Sequence, residues 1–135
     1  MFDTKVAILV LADLPTWRKL NVTAFLATGI AGAAPDAMGQ PYLDANGREF
    51  ARLLGQPMMI FSAEPRDLAR AHRLAREHDL SCAAYVRAMF STGHDGANRE
   101  AFLAEPADCP DLVGIAIRGP KKAVDKATKG ARLHP

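Results

Sequence analysis

Ser91-Thr92-Gly93-His94-Asp95 gathers two hydroxyls, an imidazole and a carboxylate, with Asn98 and Arg99 just beyond. A histidine in such company can serve as a general base or bind a polar ligand. The same stretch can also be a structured turn held by Asp95 and Asn98. It has no Gly-x-Ser-x-Gly or His-Glu-x-x-His spacing, so no nucleophile motif or zinc-protease motif is read from it. A second group is Asp13 with Arg18 and Lys19. Cations at the start of a helix oppose its dipole unless an anion sits there, so this pair points to anion binding. A third is Arg118-Gly119-Pro120-Lys121-Lys122, where backbone N–H groups and two lysines at a helix start can hold a phosphate. It lacks the glycines of a P-loop or dinucleotide fingerprint.

No metal or cofactor is expected. His72, His78 and His94 do not form a ligand set. Asp44-Ala45-Asn46-Gly47 holds only a fragment of a calcium loop. Cys82 and Cys109 give neither a disulfide framework nor a zinc motif. Cys82 lies in an apolar run and is expected to be buried, whereas Cys109 is expected in a surface loop.

These groups need elements to position them. Lys5–Leu11 is a short apolar run, the pattern of a strand buried on both faces. A helix follows over Lys19–Ala31, with Thr16 as a candidate cap and many small residues, which suits close packing on a sheet or on a second subunit. Tyr42–Phe50 contains Asn-Gly and predicts a hairpin. Met58–Ser62 is a second buried strand. Glu64-Pro65 opens an amphipathic helix carrying Leu68, Ala71 and Leu74. Ser81–Val86 is a third strand, Arg87–Asn98 is irregular, and Asn98–Ala104 is a short helix. Leu112–Arg118 is a fourth strand, Gly119-Pro120 a turn, and Lys121–Thr128 a helix ended by Gly130. Alternating strands and helices imply an α/β domain, its sheet mostly parallel or mixed, with helices on both faces. In such sheets, ligands gather in the loops after strands. That assigns the chemistry to Asp13–Lys19, Arg87–Arg99 and Gly119–Lys122.

A chain of 135 residues fits one domain spanning 1–135. No apolar run approaches the roughly 20 residues that cross a bilayer, and no secretory signal is read, so a cytoplasmic protein without a membrane partner is expected. The net charge of +2 is unevenly spread. Arg118, Lys121, Lys122, Lys126, Lys129 and Arg132 crowd the end of the chain, against Asp125 alone. Such a basic end can meet RNA or another anion, or can simply be solvated.

Two stretches carry a family resemblance. Lys5-Val6-Ala7-Ile8-Leu9-Val10 with Asp13-Leu14, then Lys19 opening a small-residue helix, looks like the start of type II peptidyl-tRNA hydrolases. Leu112-Val113-Gly114-Ile115-Ala116-Ile117-Arg118-Gly119-Pro120, followed by Val124-Asp125-Lys126-Ala127-Thr128-Lys129-Gly130, looks like their end. The whole chain more closely resembles the domain-of-unknown-function 2000 group. It is similar in Thr92-Gly93-His94-Asp95-x-x-Asn98-Arg99 and in Arg118 through Lys126 to Leu133-His134-Pro135. The resemblance implies a three-layer α/β/α fold like that of the hydrolase, with a mixed, about four-stranded sheet, and often a homodimer. It implies an active centre at Lys19 and Thr92. The hydrolase acid falls near Arg87, which reverses the charge, and the helix Gln and His fall at about Thr23 and Leu26. The leading expectation is therefore a small or anionic ligand bound among Asp13, Lys19, Thr92, His94 and Asp95, with Arg18, Arg87, Asn98, Arg99, Lys121 and Lys122 as further contacts. The alternatives are hydrolysis of an RNA-linked ester, with His94 or Asp95 replacing the missing acid, and a non-catalytic interaction module using the basic final helix.

Overall fold

The computed structural model describes residues 2–135. The main elements are β1 (Thr4–Leu11), α1 (Thr16–Ala33), β2 (Tyr42–Leu43), β3 (Glu49–Phe50), β4 (Met58–Ala63) and α2 (Pro65–Glu77), then β5 (Ser81–Val86), α3 (Asp95–Leu103), β6 (Leu112–Pro120), α4 (Lys121–Ala127) and β7 (Arg132–Leu133). Short 3₁₀ turns occupy Pro35–Ala37 and Arg87–Ser91. Five strands form one mixed sheet in the order β5-β6-β1-β4-β7, while β2 and β3 make a separate hairpin. The fifth strand of the sheet, β7, is two residues long and too short to announce itself by pattern.

β1 lies at the centre of the sheet, with Val6, Ala7, Ile8 and Leu9 fully buried. That is why its sequence is a continuous apolar run instead of an alternation. α1 packs on β6, β5 and β1, while α2 and α4 pack against each other, on β6 and on β1. α2 starts at Pro65, where the missing N–H costs nothing, and the Glu64 N–H donates to the Asp67 carboxylate. Its apolar row Leu68, Ala71, Leu74 and Ala75 is buried, as the helical spacing requires.

Strand direction decides which loops can meet. β1 and β4 are parallel, whereas β6 is antiparallel to both β1 and β5. The far ends of β1, β4 and β5 therefore share one end of the sheet. Gly119 and Pro120 instead pair with Lys5 and Thr4 at the opposite end. The expected Gly-Pro turn is thus the last part of β6. Gly119 is small for packing, since a Cβ there would come within 2.5 Å of Leu80 Cδ2. Gly130 does take a left-handed conformation, with φ +94, but in the turn after α4, whose C-cap is Thr128. Thr16 is the first residue of α1 and not its cap: Pro15 holds that position, without a side-chain bond. Cys82 is exposed, because β5 is an edge strand and not an interior one.

Glycine lets α1 approach the sheet. A Cβ on Gly114 of β6 would lie 2.6 Å from Val22 Cγ1 and 3.0 Å from Leu26 Cδ1. Val22 is β-branched and cannot swing aside freely. Gly114→Ala should therefore destabilise the fold by about 1–3 kcal/mol, read as a lower urea midpoint; an unchanged midpoint would contradict this packing.

Candidate functional site

At the end of the sheet where β1 and β5 finish, the first turn of α1 meets the segment after β5. The Arg18 guanidinium lies 4.5 Å from the Phe90 ring centroid and 5.3 Å from that of Trp17. This is cation–π geometry on two rings. Arg18 makes no ion pair among the described residues, and its buried Nε has no hydrogen-bond partner among them. Beside it, Phe90 stacks at 5.3 Å on Tyr85, which lies 6.2 Å from Phe25. Trp17, Asn21 and Phe25 follow at four-residue spacing along α1 and complete one wall. The result is a recess of about 330 Å³, also lined by Thr92, Gly93, His94, Asp95 and Asn98.

The Thr92–Arg99 residues are mostly engaged with one another. The Thr92 hydroxyl meets the Met89 carbonyl at 2.9 Å and also the Asn98 side-chain oxygen. His94 caps α3: its Nδ1 accepts the Ala97 N–H at 3.2 Å. In the neutral ring, that bond puts the proton on Nε2. Asp95 pairs with Arg99 at 2.9 Å, one helical turn on. The turn is thus braced by Thr92 with Asn98 and by the His94 cap, while Asp95 faces Arg99.

The other expected site residues are scattered. Lys19 lies one residue from Arg18 but on another side of α1, with its Nζ 3.5 Å from His134 Nε2. It does not line the recess. Asp13 is exposed and also lies outside it. The Arg87 Nε donates to the Asp111 carboxylate at 3.2 Å. Lys121 lines a different hollow at the opposite end of the sheet, with Lys5, Gln56 and Asp125. There Lys5 and Asp125 pair at 2.5 Å. Lys122 is exposed on the first turn of α4. The antiparallel course of β6 separates Lys121 and Lys122 from the recess. Among the described residues, no group of three or more His, Cys, Asp or Glu could hold a metal. The Asp44 carboxylate accepts the Asn46 and Arg48 N–H groups and pairs with Arg48, so the Asp-x-Asn-Gly cluster closes a turn. These bonds hold its pKa below the usual value, with the Arg48 N–H as the largest cause.

The sequence reading missed the aromatic residues Phe25, Tyr85 and Phe90. The spacing of Trp17, Asn21 and Phe25 on one helix face was the available signal. The pairing of that face with Tyr85 and Phe90 follows only from the packing of α1 on β5.

A longer groove of about 750 Å³ continues from the recess along the free edge of β5. Cys82, Ala83 and Ala84 form its floor, with His72 and Arg76 on one side and Phe102 and Leu103 at α3. Cys82 is exposed at this edge, but the groove walls still partly desolvate its thiol and push its pKa up to about 11. Desolvation also lowers the pKa of His72, helped by the nearby Arg76 charge and opposed by Asp108.

The strands, helices and recess define a mixed α/β protein with an aromatic hollow at one end of its sheet. No helix is long and apolar enough to cross a membrane. The chain belongs to the family described as a protein of unknown function (DUF2000), whose model matches residues 4–135. It is similar to a solved structure, the protein of unknown function Atu0240 from Agrobacterium tumefaciens strain C58. The two share 42% identity, each is covered over 100% of its length, and the TM-score is 0.95. None of the curated proteins matches the chain significantly.

The raised thiol pKa has a chemical consequence. Only the thiolate reacts, and a thiol with pKa about 11 remains protonated at neutral pH. Alkylation of Cys82 by iodoacetamide should be slow at neutral pH and climb toward its pKa, followed by mass spectrometry of the Cys82 peptide. A rate that levels off near the ordinary thiol pKa of about 8.5 would contradict the desolvated setting.

Proposed function

We propose that this chain binds a small anionic ligand carrying a planar or apolar group, in the recess between the start of α1 and the Phe90–Asn98 segment. The observation that carries the reading is Arg18: a permanent charge held against Phe90 and Trp17, with no carboxylate partner and a buried Nε left unsatisfied among the described residues. A buried donor without a partner costs about 1–3 kcal/mol, and an anion accepting from Arg18 would recover that cost. Arg18 also sits in the first turn of a helix of 18 residues that has no acidic residue in that turn and no side-chain cap. Such a helix start favours an anion. Trp17, Phe25 and Tyr85 offer aromatic surface for the rest of the ligand, and Asn21 and His94 offer polar contacts.

Binding is favoured over ester hydrolysis for reasons of geometry. The type II peptidyl-tRNA hydrolase resemblance assigns chemistry to Lys19 and Thr92. Lys19 is beside His134 instead, and the Thr92 hydroxyl is committed to Met89 and Asn98. Arg87 stands near the family's acid position and is itself paired with Asp111.

Trp17 is the single tryptophan of the chain, so its fluorescence reports directly on the recess. Titration with phenyl phosphate should shift or quench it, and inorganic phosphate should compete. Arg18→Gln should weaken binding at least about tenfold, the worth of one charge-assisted hydrogen bond, while Lys122→Gln should leave it unchanged. A flat titration of the wild type, or equal binding by Arg18→Gln, would overturn the proposal. Release of peptide from a peptidyl-tRNA analogue, lost in Lys19→Ala, would restore the hydrolase reading.

A further inference from the structure

We propose that the open edge of β5 takes an extended peptide as an added strand, with the C-terminal carboxylate of the peptide beside Arg18. This rests on the anion reading of the recess and extends it: the anion is the end of a chain, and the groove holds the residues before it. β5 ends the sheet and pairs on one side only, with β6. In an antiparallel pair, alternate residues turn their N–H and C=O toward the partner, and those between turn them away. Two bonds fix the phase. The Arg87 N–H points to the β6 side, to the Asp111 carbonyl at 3.0 Å. The Val86 N–H points off the sheet, to the Met89 sulfur at 3.4 Å. The extra residue of the register shift near Val86 is Val113, on β6, so the alternation along β5 is unbroken. Counting back by twos from Val86, Ala84 and Cys82 present their N–H and C=O groups to the groove. No backbone group elsewhere among the described residues pairs with either.

Sheets ordinarily guard such an edge with a charge, a proline, a very short strand or a cover. The opposite edge is guarded: β7 closes it with two residues, one of them Arg132. β5 carries no charge and no proline from Ser81 to Val86. Cys82, Ala83 and Ala84 are small, so no bulky side chain keeps another backbone away. α3 does not cover the edge. It rests mainly on the Arg87–Ser91 turn and buries none of its own residues. Phe102 and Leu103 at its end line the groove, and Leu103 is 86% exposed. The groove thus has open backbone on one wall and apolar side chains on another, which is what an extended peptide needs.

Charge decides what the peptide carries and which way it runs. Arg76 pairs with Asp108, and Arg99 with Asp95, so the cations of the groove are matched and its contents can be uncharged. Arg18, at the end where β5 finishes, has no such partner among the described residues. Groove and recess share Tyr85, Met89 and Asn98, so one ligand can occupy both. A peptide whose last residue fills the recess sets its carboxylate at Arg18 and its final side chain among the rings. The rest of its chain then runs parallel to β5. In a parallel pair, one peptide residue bridges the Cys82 carbonyl and the Ala84 N–H, and its neighbours two places away take the remaining two groups. β5 is six residues long, about 20 Å, so a peptide of the same length spans it.

The probe is an acetylated peptide of alternating threonine and valine that ends in phenylalanine with a free carboxylate, six residues long to match β5. Titrated into the intact protein and followed by Trp17 fluorescence, it should bind at least about tenfold tighter than acetylated phenylalanine, through its added backbone bonds. Amidating its C-terminus should weaken binding about tenfold in the wild type and leave it unchanged in Arg18→Gln. N-methylation of one alternating set of its amides should remove the gain, and methylation of the other set should not, a parity that apolar burial alone does not produce. Cys82 reports on the groove apart from the recess, which it does not line. The bound peptide should slow its alkylation at about pH 9 severalfold, and phenyl phosphate should not. If phenyl phosphate binds but the peptide gains nothing over acetylated phenylalanine, the strand is overturned and the anion reading stands. A peptide that binds equally well with either methylated set, or leaves Cys82 alkylation unchanged, overturns the strand too. Equal binding of acid and amide by the wild type overturns the anchoring at Arg18.

Discussion

The close seating of α1 on β5 and β6 is the constraint on which the rest of this molecule depends. Gly114 leaves room for Val22 and Leu26, and Gly29 comes so near Ala83 that a Cβ on it would stand 2.7 Å from the Ala83 Cβ. Interiors are packed densely enough that one extra carbon at either place would push the helix away. Because α1 sits this low, its first turn reaches the segment after β5. Arg18 then meets Phe90, and Phe25 meets Tyr85. A helix held higher would separate the charge from its rings and open the recess to solvent. The same seating fixes which side of α1 is left outward, with Val22, Leu26 and Ile30 turned in.

Strand direction is the second organising fact. Had β6 run parallel to β1, Lys121 and Lys122 would have joined Arg18 at one end of the sheet and made a single basic site. It runs antiparallel, so the two basic regions lie at opposite ends. A chain of small net charge thus presents two cationic surfaces with different surroundings. The one at Arg18 is lined by rings and partly buried. The one on α4 is exposed, with Lys5 and Asp125 paired beside it. Preorganised charge in a drier setting is worth more per contact than solvated charge, which is why the recess is the stronger candidate for a specific ligand.

Much of the fold was legible from residue order, and the reasons are local. β1, buried, and β4, only partly buried with Met58 exposed, read as apolar runs, α2 showed its helical period, and Asn46-Gly47 marked the hairpin turn, where Gly47 has φ +80. What stayed hidden was set by pairing across the chain. The exposure of Cys82 depends on β5 being an edge, and the Gly119-Pro120 step could not be placed without its partners Lys5 and Thr4. At the site, the sequence pointed to the loop after β5 and to Arg18 and Lys19 together; in the structure Arg18 lies against Phe90 and Trp17 beside the recess, while Lys19 meets His134. Adjacent residues on a helix point about 100° apart, so neighbours that read alike in sequence meet different surfaces. Thr92, Asn98 and Asp95 drew notice for their chemistry, yet the structure shows their hydrogen-bonding groups largely satisfied by near neighbours.

The central claim, that Arg18 is an anion receptor held ready between two rings, can be tested at the atom concerned. The side-chain Nε–H signal of Arg18 can be followed by nuclear magnetic resonance while phenyl phosphate is added to the intact protein. The expected result is a saturable downfield shift of that signal, in step with the indole N–H of Trp17 and with little change at Lys121 and Lys122. An Arg18 signal that stays fixed while the lysines of α4 move, or while nothing moves, would contradict the account.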